Sequence, residues 1–290
     1  MKSTKNCGGI LAYGIPEFRL PRDILEKTIN KITSIPGIKV ETNKELGKDF
    51  NLQELSNNYD AVFLAIGSNI SSKMNIEGEK LEGVYGANEL LENKVFPDFK
   101  DKKVAVIGGG NVAMDAARTI KRLGAKETYV IYRRAEEQMP AEKKEIEEAK
   151  EEKIEFLFQN NIVKIIPKDN EKRVGKIECI KTELVQKEEG KRPSPIDIEG
   201  SNYLLDMDYV IMAIGSKTEE NILKEQGIEL NEKGYIKVDE SYKTNIENVY
   251  AGGDVIGTKA TIAWAARIGR NVAEVIKDIW GRVKFVIYIK

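Results

Sequence analysis

Apolar runs that begin at an acid and end at a glycine recur along this chain of 290 residues. Asp60 to Ser68 reads Asp-Ala-Val-Phe-Leu-Ala-Ile-Gly-Ser, and Asp208 to Ser216 repeats it closely as Asp-Tyr-Val-Ile-Met-Ala-Ile-Gly-Ser. Strands apolar at every position suit a parallel sheet covered on both faces. The terminal glycine lets backbone approach a ligand. As bare strands both would be ordinary core; the duplicated Ala-Ile-Gly-Ser ending sets them apart. A further run, Val104 to Ile107, predicts a strand that leads into Gly108-Gly109-Gly110 and an Ala-rich helix from about Val112 to Leu123. Gly124 stops that helix, and Thr128 to Tyr132 predicts the next strand. A short strand within Thr244 to Ala251 ends in Gly252-Gly253-Asp254, ahead of an Ala-rich helix from about Thr261 to Ile279.

The remaining pattern is weaker. Ala141 to Lys153 predicts a charged helix with Ile146 and Ala149 turned inward. Strands are expected at Ile154 to Phe158, Val163 to Ile166, Ile177 to Val185 and Tyr203 to Val210. Lys187 to Pro195 is a polar loop broken by Gly190, Pro193 and Pro195. Residues 69–100 form a connector with a short helix near Ala87 to Glu92. The segment 283–290 is β-prone and could either join a sheet edge or stay exposed and prone to aggregate.

The strand–turn–helix–strand order around Gly108 is a dinucleotide-binding βαβ unit. Gly108 permits the tight turn, Gly110 admits backbone to a pyrophosphate, and Ala113 keeps helix and strand close. The helix start at Asn111 and Val112 offers free amides and a positive dipole end. The second strand ends in Arg133-Arg134 rather than in an acid. A guanidinium fork suits a 2′-phosphate, so NADPH is expected over NADH. Asp254 can accept hydrogen bonds from a polyol or ribityl chain; the alternative is an Asp that caps a strand–turn–helix.

Composition narrows the chemistry. Lys+Arg 46 against Asp+Glu 47 gives a net charge of -1, which indicates neither nucleic acid nor an anionic membrane as partner. Histidine is absent, which removes His-based triads and His-ligated metals. Cys7 and Cys179 are the only cysteines, so this chain alone cannot ligate an iron–sulfur cluster. No metal site and no catalytic side chain is expected; hydride transfer needs neither, because cofactors carry that chemistry. No signal peptide and no apolar run of membrane length is visible, so a cytoplasmic protein is expected.

Gly8-Gly9-Ile10-Leu11-Ala12-Tyr13-Gly14-Ile15-Pro16-Glu17-Phe18-Arg19-Leu20-Pro21 resembles a stretch found in small (β) subunits of NADPH-dependent glutamate synthase. The FAD/NADPH domains of dihydropyrimidine dehydrogenase and the flavin subunit of ferredoxin:NADP oxidoreductase share it. Gly108 to Arg118, Tyr132-Arg133-Arg134 with Met139-Pro140-Ala141, and Ala251 to Asp254 are similar to further motifs of that family. The resemblance runs from about Cys7 to Ile279. It implies an α/β protein with two Rossmann-like domains, the NADPH domain inserted in an incomplete FAD domain. Residues 1–86 and 217–290 would be the FAD parts, and 87–216 the NADPH domain.

The resemblance also implies the sites. FAD would lie against Gly8, Gly9, Leu11, Arg19, Ala65, Ile66, Gly67, Gly253, Asp254 and Thr261. NADPH would lie on Gly108, Gly109, Gly110, Asn111, Val112 and Ala113. Arg133 and Arg134 would meet its 2′-phosphate, with Ala213, Ile214 and Gly215 near the nicotinamide. Hydride would pass to the flavin and electrons to a large subunit or another accepting protein. Two departures matter. The family's cysteine-rich iron–sulfur domain and its first FAD-binding βαβ unit, expected ahead of Gly8, have no counterpart here. FAD affinity in isolation is therefore expected to be weak or absent, while NADPH binding survives. A fragment, a truncated reading frame or a split subunit would explain this. A chain carrying the missing FAD and iron–sulfur segments would then dock ahead of Gly8. The alternatives are an NADPH-binding module without turnover and a flavin subunit serving ferredoxin.

Overall fold

In a computed structural model of the chain, residues 7–280 and 285–289 are described, apart from 170, 189 and 191. The chain divides into two compact units. The first takes the chain up to Ala12, then Pro21–Ile70, then the chain from Lys217 onward; the second takes Tyr13–Leu20 and Ser71–Ser216.

Along the chain come helices α1 (Gly9–Tyr13), α2 (Arg22–Thr33) and α3 (Leu52–Asn58), then strand β1 (Ala61–Ala65) and the short β2 (Ile70–Ser71). β3 (Val84–Gly86), α4 (Ala87–Asn93), β4 (Lys103–Ile107), α5 (Asn111–Arg122), β5 (Glu127–Tyr132), α6 (Lys143–Glu151) and β6 (Glu155–Phe158) follow. Next come β7 (Asn160–Pro167), β8 (Val174–Val185), β9 (Ser194–Asp197), β10 (Tyr203–Asp206), β11 (Tyr209–Met212) and β12 (Ser216–Lys217). α7 (Glu220–Glu225), β13 (Val249–Ala251), α8 (Ile262–Trp280) and β14 (Phe285–Ile289) close the series.

The second unit has three layers. Its centre is a parallel sheet of order β3-β11-β4-β5-β6. Val104 and Val106 of β4 face a helical layer with Met114, Ala117 and Ile120 of α5 and Ile146 and Ala149 of α6. Ala105 and Ile107 of the same strand face the other way, onto Ile162, Ile165, Ile177 and Cys179 of the antiparallel β7–β8 pair. Both pleat faces are thus covered, which explains why β4 and β11 are apolar at nearly every position. The antiparallel layer is completed by β10 and β9, each paired with β8.

Two sequence expectations change here. Tyr203 to Val210, read as one strand, is split between two sheets. The Met207 amide donates to the Gly175 carbonyl, whereas the Asp208 amide donates to Lys103 O and its carboxylate accepts from the Lys103 amide. Asp208 thus ends one ladder and starts another. Residues 71–86, which the resemblance assigned to the FAD part, pack in the second unit, because β3 pairs in parallel with β11.

The first unit is built on a parallel sheet of order β13-β1-β14. Ala61 and Phe63 of β1 meet Ile268, Val272 and Ile276 of α8. Val62 and Leu64 meet Leu52, Leu223 and Ile228 on the opposite face. The terminal segment takes the sheet edge: Phe285 stands opposite Ala61 and Ile289 opposite Ala65. The sequence pattern did not pick out α2 or α3. α3 is started by a capping box, in which Asn51 and Glu54 each accept from the other's amide.

Candidate dinucleotide site

The second unit's glycine turn lies at the carboxyl end of the parallel sheet, where α/β sheets bind ligands. The Gly108 amide donates to the Ile131 carbonyl at 3.0 Å, and φ there is +138°. A Cβ on Gly108 would stand 2.2 Å from the Ala213 carbonyl oxygen. The ends of β4 and β11 therefore touch, and Ala213, Ile214 and Gly215 come to the same edge as the turn. Gly109 is needed for another reason: its Cβ would meet the Tyr132 ring at 2.7 Å. Gly110 precedes α5 in extended conformation, and a Cβ there would meet nothing closer than Pro140 at 3.9 Å. The space it leaves is what a pyrophosphate needs.

Ala113 and Met114 donate their amides to the Gly110 carbonyl. The amides of Asn111 and Val112 open α5 with no acceptor among the described residues, as expected of a helix first turn. The Met139-Pro140-Ala141 stretch is tied to this turn. The Ala141 amide donates to Gly109 O, and the Glu142 amide to Asn111 Oδ1 at 2.9 Å.

Arg133 and Arg134 follow β5 directly. Their backbone is fixed from the antiparallel layer: Thr182 Oγ1 donates to Arg133 O and the Gln159 amide to Arg134 O. Arg133 is exposed. Arg134 donates Nε to the Pro193 carbonyl at 3.0 Å, and neither guanidinium meets a carboxylate among the described residues. The turn, the free amides and two unneutralised guanidinia together fit a phosphorylated dinucleotide.

Arg19 lies in this same unit. Its Nη1 donates to both oxygens of Asp115 on α5 at 2.8 and 2.9 Å, and its Nε meets Glu145 of α6 at 2.8 Å. This guanidinium is engaged by carboxylates; the other residues assigned to FAD belong to the first unit. Burial pushes the Asp115 carboxyl up from 3.8 to about 6; the Arg19 hydrogen bonds oppose this without reversing it. The sign follows. A carboxyl whose folded pKa is raised adds stability in full below its unfolded pKa and loses it as pH rises through about 6. Asp115→Asn is expected to flatten the stability–pH curve of the wild type over that window. Denaturation midpoints measured across it check this, and equal slopes in both proteins would refute it.

In the first unit, β1 and β13 run parallel, so Ala65-Ile66-Gly67 and Gly252-Gly253-Asp254 emerge at one end of the sheet. Gly67 has φ +70° and open space where a Cβ would stand; Gly253 has φ +77°. Asp254 is partly buried, and burial raises its pKa. Its carboxylate has no partner among the described residues, which fits an acceptor waiting for hydroxyl donors. Thr261 is already used at the start of α8, its Oγ1 accepting the Trp264 amide. Gly8 and Gly9 both have positive φ, and a Cβ on Gly8 would press on Ala12 and Ile29. The Leu11 carbonyl accepts from Arg22 at 2.6 Å.

Sequence reasoning quoted Tyr132 as part of a motif without giving it a role, and did not single out Thr182 or Arg192. Only Tyr132 carried a local signal, standing directly before the arginine pair. Cys179 is buried, which pushes its thiol up to about 12, and both cysteines are free. Among the described residues no group of His, Cys, Asp and Glu is placed to hold a metal, and no helix is long and apolar enough to cross a membrane.

A parallel sheet with a glycine turn at a helix start, and two arginines directly after the neighbouring strand, is the arrangement of a dinucleotide-binding protein. The chain belongs to the pyridine nucleotide-disulphide oxidoreductase family, whose sequence profile matches residues 6–271. It is 35% identical over 273 residues to the NADP(+)-dependent formate dehydrogenase subunit beta of Moorella thermoacetica, covering 92% of this chain and 38% of that one. It is 33% identical over 290 residues to the glutamate synthase [NADPH] small chain of Escherichia coli, covering 93% and 61%. The chain thus spans less than two thirds of either relative. Among solved structures, Mycobacterium tuberculosis FprA in complex with NADPH matches with a TM-score of 0.80 at 20% identity, over 93% of this chain and 75% of that one. The last match concerns fold alone.

Proposed function

We propose that this chain is the NADPH-oxidising component of a flavin-dependent electron-transfer complex. The carrying observation is the pair Arg133 and Arg134, held by backbone bonds beside the glycine turn and free of carboxylate partners among the described residues. NADPH would rest its pyrophosphate on Gly110 and the amides of Asn111 and Val112, with Ala213 to Gly215 at the far end of the same edge. Gly67, Gly253 and Asp254 would hold the polyol stretch of FAD. A bound flavin supplies the chemistry that accepts hydride and releases electrons; the chain's own residues bind, orient and exclude water. The relatives' names point to different acceptors, formate dehydrogenase and glutamate synthase among them. The shared part is the NADPH end, so a partner subunit would choose the acceptor.

The test is a titration of the purified chain with NADPH and NADH, followed by addition of FAD and an artificial dye acceptor. NADPH should bind more tightly than NADH, and dye reduction should require FAD. Equal affinity for both nucleotides would overturn the proposal at its first step. NADPH binding without any FAD-dependent reduction would leave a nucleotide-binding module instead.

A further inference from the structure

We propose that Arg192, on the loop between β8 and β9, is a third cation for the adenosine 2′-phosphate and is positioned for it by Tyr132. The inference rests on the NADPH reading above and adds a specificity residue to it.

Tyr132 is the junction. It ends β5, immediately before Arg133 and Arg134, and its ring occupies the space a Cβ on Gly109 would need. Its hydroxyl donates to the Gln138 carbonyl at 2.7 Å and accepts from Arg192 Nη2. One side chain thus touches the glycine turn, the start of the arginine pair and the distant loop. A second tie runs beside it, from Arg134 Nε to Pro193 O. Arg192 and Pro193 are chain neighbours, so the loop is pinned to the end of β5 at two adjacent residues. The Thr182 hydroxyl of β8 fixes Arg133 O from the same layer.

The charge pattern points to an anion. Three other guanidinia in this unit find carboxylates: Arg19 meets Asp115 and Glu145, Arg118 meets Glu148 and Glu152, and Arg122 meets Glu152, whereas Arg173 donates to the Tyr209 hydroxyl and lies over that ring. Arg133, Arg134 and Arg192 meet none among the described residues. Among the described residues the acceptors of Arg134 and Arg192 are neutral, a carbonyl and a phenol. A tyrosine hydroxyl orients a guanidinium without neutralising it, leaving the other N–H donors for a ligand. A phosphate monoester near neutral pH is close to a dianion with three strong acceptor oxygens, and it suits several converging guanidinia. The antiparallel layer, which the dinucleotide fold itself does not require, thereby gains a role as a wall of the phosphate end.

The test uses the full chain and two probes, adenosine 2′,5′-bisphosphate and ADP, with calorimetric or fluorescence titration. Arg192→Ala should weaken the 2′,5′-bisphosphate about tenfold or more, as expected when one charge-assisted hydrogen bond is removed. ADP affinity should stay within about twofold of the wild type, a change of under half a kcal/mol. Tyr132→Phe should give a smaller loss with the same selectivity for the 2′-phosphate. Arg192→Lys should recover part of it. Unchanged bisphosphate affinity in Arg192→Ala would overturn the inference. So would equal losses for both probes, or a loss tracking a fallen melting temperature, which would make Arg192 a brace for the loop. A wild type that does not prefer the bisphosphate over ADP would sink the NADPH reading itself, and this inference with it.

Discussion

Replacing Arg133 and Arg134 together by alanine should weaken NADPH binding by about 1–3 kcal/mol for each charge-assisted hydrogen bond removed, roughly tenfold or more per arginine. NADH, which lacks the 2′-phosphate, should lose far less. Both residues follow β5, the strand that pairs with the glycine-turn strand, and their carbonyls are fixed by Thr182 and Gln159. Their side chains therefore project from a fixed backbone, so the cost offsetting the hydrogen bonds they make is the side-chain ordering entropy alone. Arg134 has an added duty, because its Nε holds Pro193. Arg134→Ala alone is therefore expected to cost more than Arg133→Ala alone. Dissociation constants for both nucleotides check this, and a uniform loss across NADPH and NADH would refute the 2′-phosphate assignment.

Arg118→Met should destabilise the protein by about 3–5 kcal/mol, the usual cost of removing one partner from a buried ion cluster. Arg118 lies in α5 with its side chain only 4% exposed. Its guanidinium meets Glu145 and Glu148 of α6 and, at 2.9 Å, Glu152 at the end of that helix. Phe18 stacks over it at 4.7 Å and over Arg122 at 4.2 Å. Methionine keeps an unbranched apolar stem but is shorter and uncharged, so it leaves the acids facing one another. Arg122 still reaches Glu152, and Arg19 still reaches Glu145, which keeps the loss within the stated range. Urea denaturation of variant and wild type measures it; a difference below about 1 kcal/mol, the scale of an exposed pair, would show that the cluster is not the anchor described. Nucleotide selectivity should be unchanged in the folded variant, because Arg118 does not line the phosphate end.

Much of the candidate site was legible in the chain itself. The strand into Gly108, the helix after it and the strand into Arg133 are contiguous, so a local pattern of apolar runs, glycines and small residues shows all of them. The pairing of Ala213 with the glycine turn was legible in part: the Ala-Ile-Gly-Ser ending announced a strand end. Its neighbour, however, is set by the parallel register of β11 with β4. The Tyr203 to Val210 run looked like one strand because both halves favour extended backbone. Only the competing partners of Met207 and Asp208 divide it between two sheets. Arg19, which the family resemblance assigned to FAD, has an acid partner 96 residues away on α5, a contact that no local pattern shows.

The amino-acid order by itself determined the alternation of strand and helix, the glycine turn and the cations that follow β5. Those features depend on backbone freedom and on side-chain type within a few residues. Tertiary structure alone decided which guanidinia meet carboxylates and which, among the described residues, do not. That outcome depends on the distance between charges far apart in the chain, and such distances exist only once the layers have packed. Arg19 and Arg192 carry the same chemical group; packing gave one two carboxylates and the other a phenol.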